Sequence, residues 1–283
     1  MDLVRVRLVT IGALLALVVT TLVVAGCGAT IDPVAQAATR TSDVSSLRFS
    51  MTIKLQVPTV VAPVSIKASG AIDSAAGRLK LTMDLPEIAG LNGDQGAFGQ
   101  IAIVEDGLVM YISGRALLGA LPGGKTWARV DLSRTAGAMG LNLSGLTGGQ
   151  TDPRTSLAQL REAGNVVKIG PRTLKGVATT RYSVLIDLRK GLDKLDGASR
   201  ETMEQLLDRL EASGGSYVPG DAWIDADGYL RRFHVAIPNY LGTGSSFSLT
   251  MDLFGFGDRV SIEPPQAWQV ADVTDLLSRT PGG

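Results

Sequence analysis

Between Leu47 and Val57 every odd position (Leu47, Phe49, Met51, Ile53, Leu55, Val57) is apolar and every even one (Arg48, Ser50, Thr52, Lys54, Gln56) is polar. A period of two sends successive side chains to opposite faces of an extended backbone, so this stretch reads as a strand with one face in a core and the other in water. It is also long, since most strands run to about five or six residues. The alternation returns over Val64–Ile72 and, past a turn at Ala75-Ala76-Gly77, at Leu79, Leu81, Met83 and Leu85. Long hairpins of this kind suit a broad antiparallel sheet that can bend around an interior.

More strands are expected at Phe98–Val104 and Leu108–Ser113, around the turn Glu105-Asp106-Gly107, and at Lys125–Leu132. Asn165–Ile169, Gly176–Leu188, Ala222–Asp225, Tyr229–Ile237, Ser246–Leu253 and Val260–Ile262 continue the series. Helices are fewer. Asp152-Pro153 is a good start, Asp as N-cap and Pro in the first turn, followed by an apolar stripe of Leu157, Leu160 and Ala163. Ser199–Ala212 carries Met203, Leu206, Leu207 and Leu210 on one side, and a short helix is expected at Val273–Leu277. The segment 134–150, with glycines at 137, 140, 145, 148 and 149, reads either as a weak helix with a loop or as a flap. The expected architecture is one α+β domain: a single large curved antiparallel sheet, an incomplete barrel, with helix 199–212 packed on its concave side.

The N-terminus belongs to a different regime. Arg5 and Arg7 precede a run without charge from Leu8 to Ala25, slightly short for the ~20 residues a membrane span needs. Small residues at Ala25 and Gly26 admit a peptidase, so residues 1–26 read as an export signal. Val24-Ala25-Gly26-Cys27 resembles the bacterial lipobox, which implies a diacylglycerol thioether on Cys27, cleavage before it and acylation of the freed amine. The expected location is the extracytoplasmic face of the cell membrane. Cys27 is the only cysteine, so no disulfide staples the domain and its core must hold it alone. Residues 27–46, small and polar and interrupted by Pro33, read as an acylated terminus and tether with a helical turn or two; the folded domain is expected over 47–283.

Several functional classes are disfavoured. With 27 basic and 27 acidic residues there is no basic stripe for neutralising phosphates, which argues against nucleic acid. His234 is the single histidine, and no Gly-x-Ser-x-Gly elbow accompanies it for acyl transfer. Zinc sites draw on several His or Cys ligands that this chain lacks. Asp225-Ala226-Asp227-Gly228 starts like a calcium loop, but Ala236 stands where the twelfth-position Glu should be, so a tight turn is the better reading. Gly242-Thr243-Gly244 joins two strands and opens no helix, which removes the basis of a phosphate cradle. No enzyme activity, metal or cofactor is expected.

Binding remains. Burying an acyl chain gains about 0.8 kcal/mol per CH₂, so a pocket for one needs apolar walls and little else. Candidate wall residues are Phe49, Met51, Ile53, Leu81, Met83, Phe233, Val235, Phe247, Leu249 and Met251, each on the apolar face of its strand. A solid core packed on the helices gives the same alternation, because periodicity marks the inward face and says nothing of what fills the inside.

The lipobox and tether, the long first hairpin, the Asp152-Pro153 helix, Val167-Lys168-Ile169-Gly170 before Leu174–Tyr182, and Ala222-Trp223-Ile224-Asp225-Ala226-Asp227-Gly228-Tyr229-Leu230-Arg231-Arg232 occur in this order. Together they resemble the LppX/LprA/LprF/LprG lipoproteins of mycobacteria and their relatives, over most of the mature chain. That resemblance implies a fold like the carriers LolA and LolB, an apolar cavity for acyl chains, and handling of lipid or lipidated molecules in the cell envelope. The alternative is an envelope interaction or sensor protein that offers its sheet to a protein partner.

Overall fold

The structure, a computed structural model, describes residues 32–58, 63–86, 99–115, 121–135, 165–187, 217–240 and 243–278, with isolated positions at 189, 192, 200, 201, 204, 207, 208 and 211. The export signal, Cys27 and the Asp152-Pro153 helix lie outside the described residues, as does the glycine-rich segment apart from Arg134 and Thr135. Apart from Asp32 and Pro33, the described residues belong to one unit, Val34–Gly283.

Twelve strands form one sheet: β1 (Ser46–Gln56), β2 (Val64–Asp73), β3 (Arg78–Leu85), β4 (Gly99–Asp106), β5 (Val109–Gly114), β6 (Trp127–Asp131), β7 (Asn165–Leu174), β8 (Val177–Asp187), β9 (Tyr217–Asp225), β10 (Leu230–Pro238), β11 (Ser246–Phe254) and β12 (Val270–Asp272). Their order is β12-β6-β5-β4-β3-β2-β1-β11-β10-β9-β8-β7, so the end strands β12 and β7 do not meet and the sheet stays open. A sheet this wide curls. Among the described residues the helices are α1 (Pro33–Ser42), α2 (Leu132–Thr135) and α3 (Thr274–Ser278), with further helical positions at 200, 201, 204, 207, 208 and 211. One wide open sheet with few helices among the described residues is the α+β outline that the alternation suggested, an incomplete barrel in its unclosed strand order.

Four differences from the expected outline have physical reasons. The sheet is mixed, because β12 runs parallel to β6. To reach it from β11 the chain crosses the outer face as an extended strap: Ser46 Oγ donates to Asp258 O (2.6 Å), Arg48 Nη2 to Arg259 O (3.1 Å) and Arg78 Nη1 to Ile262 O (3.2 Å). The strand expected at Val260–Ile262 is part of this strap and pairs with no neighbour. Ile262 is buried there, and burial on alternate sides mimics a strand without a ladder.

Elsewhere apparent breakers lie inside strands. β7 continues through Gly170-Pro171 by a bulge between Lys168 and Gly170, where Gly170 takes φ +135°. β9 starts at Tyr217, five residues earlier than expected, with Pro219 exposed and Gly220 buried. A Cβ on Gly220 would stand 2.9 Å from the His234 carbonyl oxygen and 3.2 Å from Val184 Cγ2, so the ladder there needs glycine.

Last, the core reaches back beyond the boundary expected at Leu47. In α1, Val34, Ala37, Ala38 and Thr41 recur at helical spacing and are buried in the main cluster or beside it. The buried Thr41 Oγ1 accepts from Leu230 N–H (2.9 Å), which ties α1 to the start of β10. Arg40 lies 5.0 Å over the Tyr229 ring, itself stacked 4.6 Å from Phe256.

Candidate functional site

The register decides which side chains share a face. From Leu47 to Leu55 the odd residues of β1 oppose Val64, Ile66, Ala68, Gly70 and Ile72 of β2 on one side. On the other side Phe49, Met51, Ile53 and Leu55 oppose Leu253, Met251, Leu249 and Phe247 of β11. Phe233 and Val235 of β10 continue these rows beyond β11, and Leu81 and Met83 of β3 continue them beyond β2. All the candidate wall residues therefore stand on one face, in adjacent rows, as their alternation required.

They divide sharply by burial. Phe49 (1% exposed), Leu81 (2%), Phe233 (4%), Val235 (7%) and Met251 (1%) are fully packed. Met51, Met83, Phe247 and Leu249 are only half-buried against the same cluster, and Ile53 is half-buried as well. Strand direction accounts for much of this. The turns at 74–77, 107–108, 175–176 and 226–229 lie at one end of the sheet, together with α1 and the rows of Leu47, Ile72, Leu79 and Leu253. Toward the opposite end, where β1 finishes at Gln56 and β11 begins at Ser246, the inward residues Phe247 and Leu249 of β11, Ile53 and Leu55 of β1, Ile66 of β2, Met83 of β3 and Ile101 of β4 are only half-buried, while Val64 at the start of β2 and Ile237 of β10 stay buried.

Phe49 shows how the closed end is packed. Its cross-strand partner is Gly70, where an added Cβ would stand 2.6 Å from Phe49 Cζ and 2.2 Å from the Lys80 carbonyl oxygen. The missing side chain is the space that the ring occupies, an arrangement that fixes register. The half-buried end has no such interlock. Leu55, Ile66 and Ile101 extend its apolar surface, all inward by register and all half-buried. The same alternation on flanking strands was the signal for them. From the Met51 row upward, no paired inward position between β11 and β5 carries a charge.

Charge lies on the outer face. Arg232 donates through Nε and Nη2 to Asp252 (2.5 and 2.9 Å), and Lys175 Nζ sits 2.8 Å from the same carboxylate. Burial alone would raise the pKa of Asp252, but these donors outweigh it and hold the carboxyl below its ordinary value. Arg181 binds Asp221 through Nε and Nη2 (2.9 Å each), and both guanidiniums flank the Trp223 ring at 5.4 and 5.9 Å.

Thr250, His234, Asp221 and Ser183 form one outer-face row. His234 Nδ1 is 3.0 Å from Thr250 Oγ1, while Asp221 is committed to Arg181. A row on a flat ladder spends its backbone N–H groups on neighbouring strands and leaves none to stabilise an oxyanion. Among the described residues no group of three or more His, Cys, Asp or Glu side chains is placed to hold a metal, and no helix is long and apolar enough to cross a membrane.

No family model matches the chain. It is 26% identical over 228 residues to an uncharacterized 31.2 kDa protein from the rplA-rplJ intergenic region of Streptomyces griseus, covering 77% of this chain and 73% of that protein. Among solved structures it is similar to LprF from Mycobacterium bovis, with 14% identity and a TM-score of 0.48 over 82% of this chain and 95% of that one. It is also similar to lipoprotein LppX of Mycobacterium tuberculosis, with 16% identity and a TM-score of 0.43 over 82% and 100%. For a LolA superfamily protein from Nitrosomonas europaea the figures are 11% and 0.27 over 81% and 93%.

Proposed function

We propose that this protein is an envelope lipoprotein that is anchored through acylated Cys27 and carries lipid or lipidated molecules by their acyl chains on its half-buried inner face. The observation that supports the reading is the division of one apolar face into a packed end and an uncharged end that solvent still reaches. A protein with nothing to bind gains by packing such residues away, since each fully buried large apolar side chain is worth about 1.5–3 kcal/mol. Met51 and Met83 at that end are flexible and fit chains of varied shape. No chemical step is needed: loading and release are exchanges of apolar surface.

The test is mass spectrometry of organic extracts from the full chain purified out of its native envelope. Stoichiometric lipid is expected from the parent, and loss of that lipid with the fold retained is expected from Leu249→Asn combined with Ile53→Asn. A consistently empty parent that purifies with one protein partner overturns the carrier in favour of the protein-binding alternative. The observation on the side of that alternative is edge strand β7, whose Val167 and Ile169 are exposed.

A further inference from the structure

We infer that Met251, Met51 and Met83 form one row that is the floor of the acyl-chain site, on which the methyl end of a chain rests. The inference rests on the acyl-chain reading for its occupant. It adds the depth of the site and the class of chain that fills it: an extended chain of about eleven carbons, or the same length at the end of a longer one.

On the inner face the register runs Phe233–Met251–Met51–Ala68–Met83–Ile101 across β10, β11, β1, β2, β3 and β4. Three of the chain's seven methionines therefore stand in one row. On three strands burial changes there. In β11, Met251 is 1% exposed and its inward neighbour Leu249 is half-buried; in β1 and β3, half-buried Met51 and Met83 follow Phe49 and Leu81, both packed. Between Met51 and Met83 stands only the buried Ala68, so a single methyl separates the two long side chains.

The rows on either side are stiffer. Toward the turns, the Phe49 ring fills the space over Gly70 and leaves no room for one added carbon. Toward the other end stand Leu249, Ile53 and Ile66, half-buried, branched and uncharged. Methionine is unbranched and turns easily about its thioether, so it can close over the end of a chain or fold away from it. It also fills gaps in ordinary cores, but a filler is enclosed by its neighbours, and solvent still reaches Met51 and Met83.

The rise of the strand sets the depth. From Leu55 to Met51 along β1 is about 14 Å, the length of about eleven carbons in an extended chain. The Phe49 row lies about 7 Å deeper, or about five carbons more. Each methylene above the floor gains apolar contact. Carbons beyond that length stay outside and gain none.

The experiment uses the full chain with isotopically labelled methionine methyl groups, titrated with octanoate, decanoate, dodecanoate, hexadecanoate and octadecanoate. Affinity is expected to rise about fourfold per methylene as far as dodecanoate and to level off beyond it. The methyl signals of Met51 and Met83 are expected to shift with dodecanoate and not with octanoate, while that of Met110, inward in the Leu47 row, stays still. Met51→Ala with Met83→Ala opens the way to the Phe49 row, and the levelling point is expected to move to about hexadecanoate. Met110→Leu leaves it at dodecanoate. Affinity that climbs without a break to octadecanoate, a Met110 signal that moves as far as the other two, or an unmoved levelling point in a folded double variant overturns the floor and leaves the acyl-chain reading intact. Should the double variant fail to fold, the break and the methyl signals of the parent decide alone. Saturable binding of none of these chains overturns the acyl-chain reading and this inference with it.

Discussion

Phe49 and Phe247 occupy the same inner face of neighbouring strands, three rows apart, yet one is fully packed and the other half-buried. Phe49 lies toward the end where tight turns hold the strands and α1 covers the face, with glycine opposite its ring. Phe247 lies at the other end, against Tyr240 at 5.2 Å between ring centroids. Equal hydrophobicity and equal alternation thus yield a structural core at one end and an apolar surface at the other. What separates them is tertiary cover: Phe49 shares its buried cluster with the small residues Val34, Ala37 and Ala38 of α1, and Phe247 is only partly buried against that cluster.

The widest gap should come from truncating the two rings in turn. Phe49→Ala is expected to cost about 4 kcal/mol, the range for a buried aromatic, and Phe247→Ala about 1 kcal/mol because less area and no closed cavity are lost. Urea denaturation of both variants measures the difference, and equal losses would erase the distinction between the ends. Next comes Gly70→Ala, whose Cβ has no room beside Phe49 and the Lys80 carbonyl; about 3 kcal/mol is expected, at the upper end for overpacking. Thr41→Val keeps the shape and removes the acceptor of the buried Leu230 N–H. It should cost about 2 kcal/mol and speed amide exchange at Leu230 while leaving amides near Ser246 unchanged.

Much of this organisation is legible in the chain, for reasons that also mark where legibility stops. Alternation locates the long strands and puts the candidate wall residues on one face, because a pleated strand with one wet face has no other pattern open to it. It misses β12, too short at Val270–Asp272 to show a period, and it assigns a strand to Val260–Ile262, where the buried side chain belongs to a strap. Gly170-Pro171 and Pro219-Gly220 look like stops, yet a bulge absorbs the first pair and close approach of β8 and β10 explains the glycine of the second. The burial of α1 is hidden because Ala37, Ala38 and Thr41 are too small to stand out as an apolar stripe. At 200–211 the expected amphipathic pattern holds at the described positions, with Leu207 buried and Arg200, Glu201, Glu204, Asp208 and Glu211 exposed.

The smallest expected effect concerns the outer side of the closed end. Lys175, in the β7–β8 turn, reaches across to Asp252, which β11 presents between the buried Met251 and Leu253 and which Arg232 also holds. The pKa of Asp252 is depressed in the fold, so its contribution is fully present above the ordinary carboxylate range, near pH 4, and is lost as pH falls through the lower folded value. Asp252→Asn should therefore flatten the fall of the unfolding temperature at pH values below the ordinary range, and leave the half-buried end and its ligand occupancy untouched. Lys175→Met removes the more exposed of the two cations and should cost only about 0.5 kcal/mol at neutral pH, with a smaller change in the same acid limb. If acid loosens Phe247 and Phe49 together, as read by exchange of their amides, the two ends are one cooperative unit, and the half-buried end is the rim of the core with no separate capacity to open.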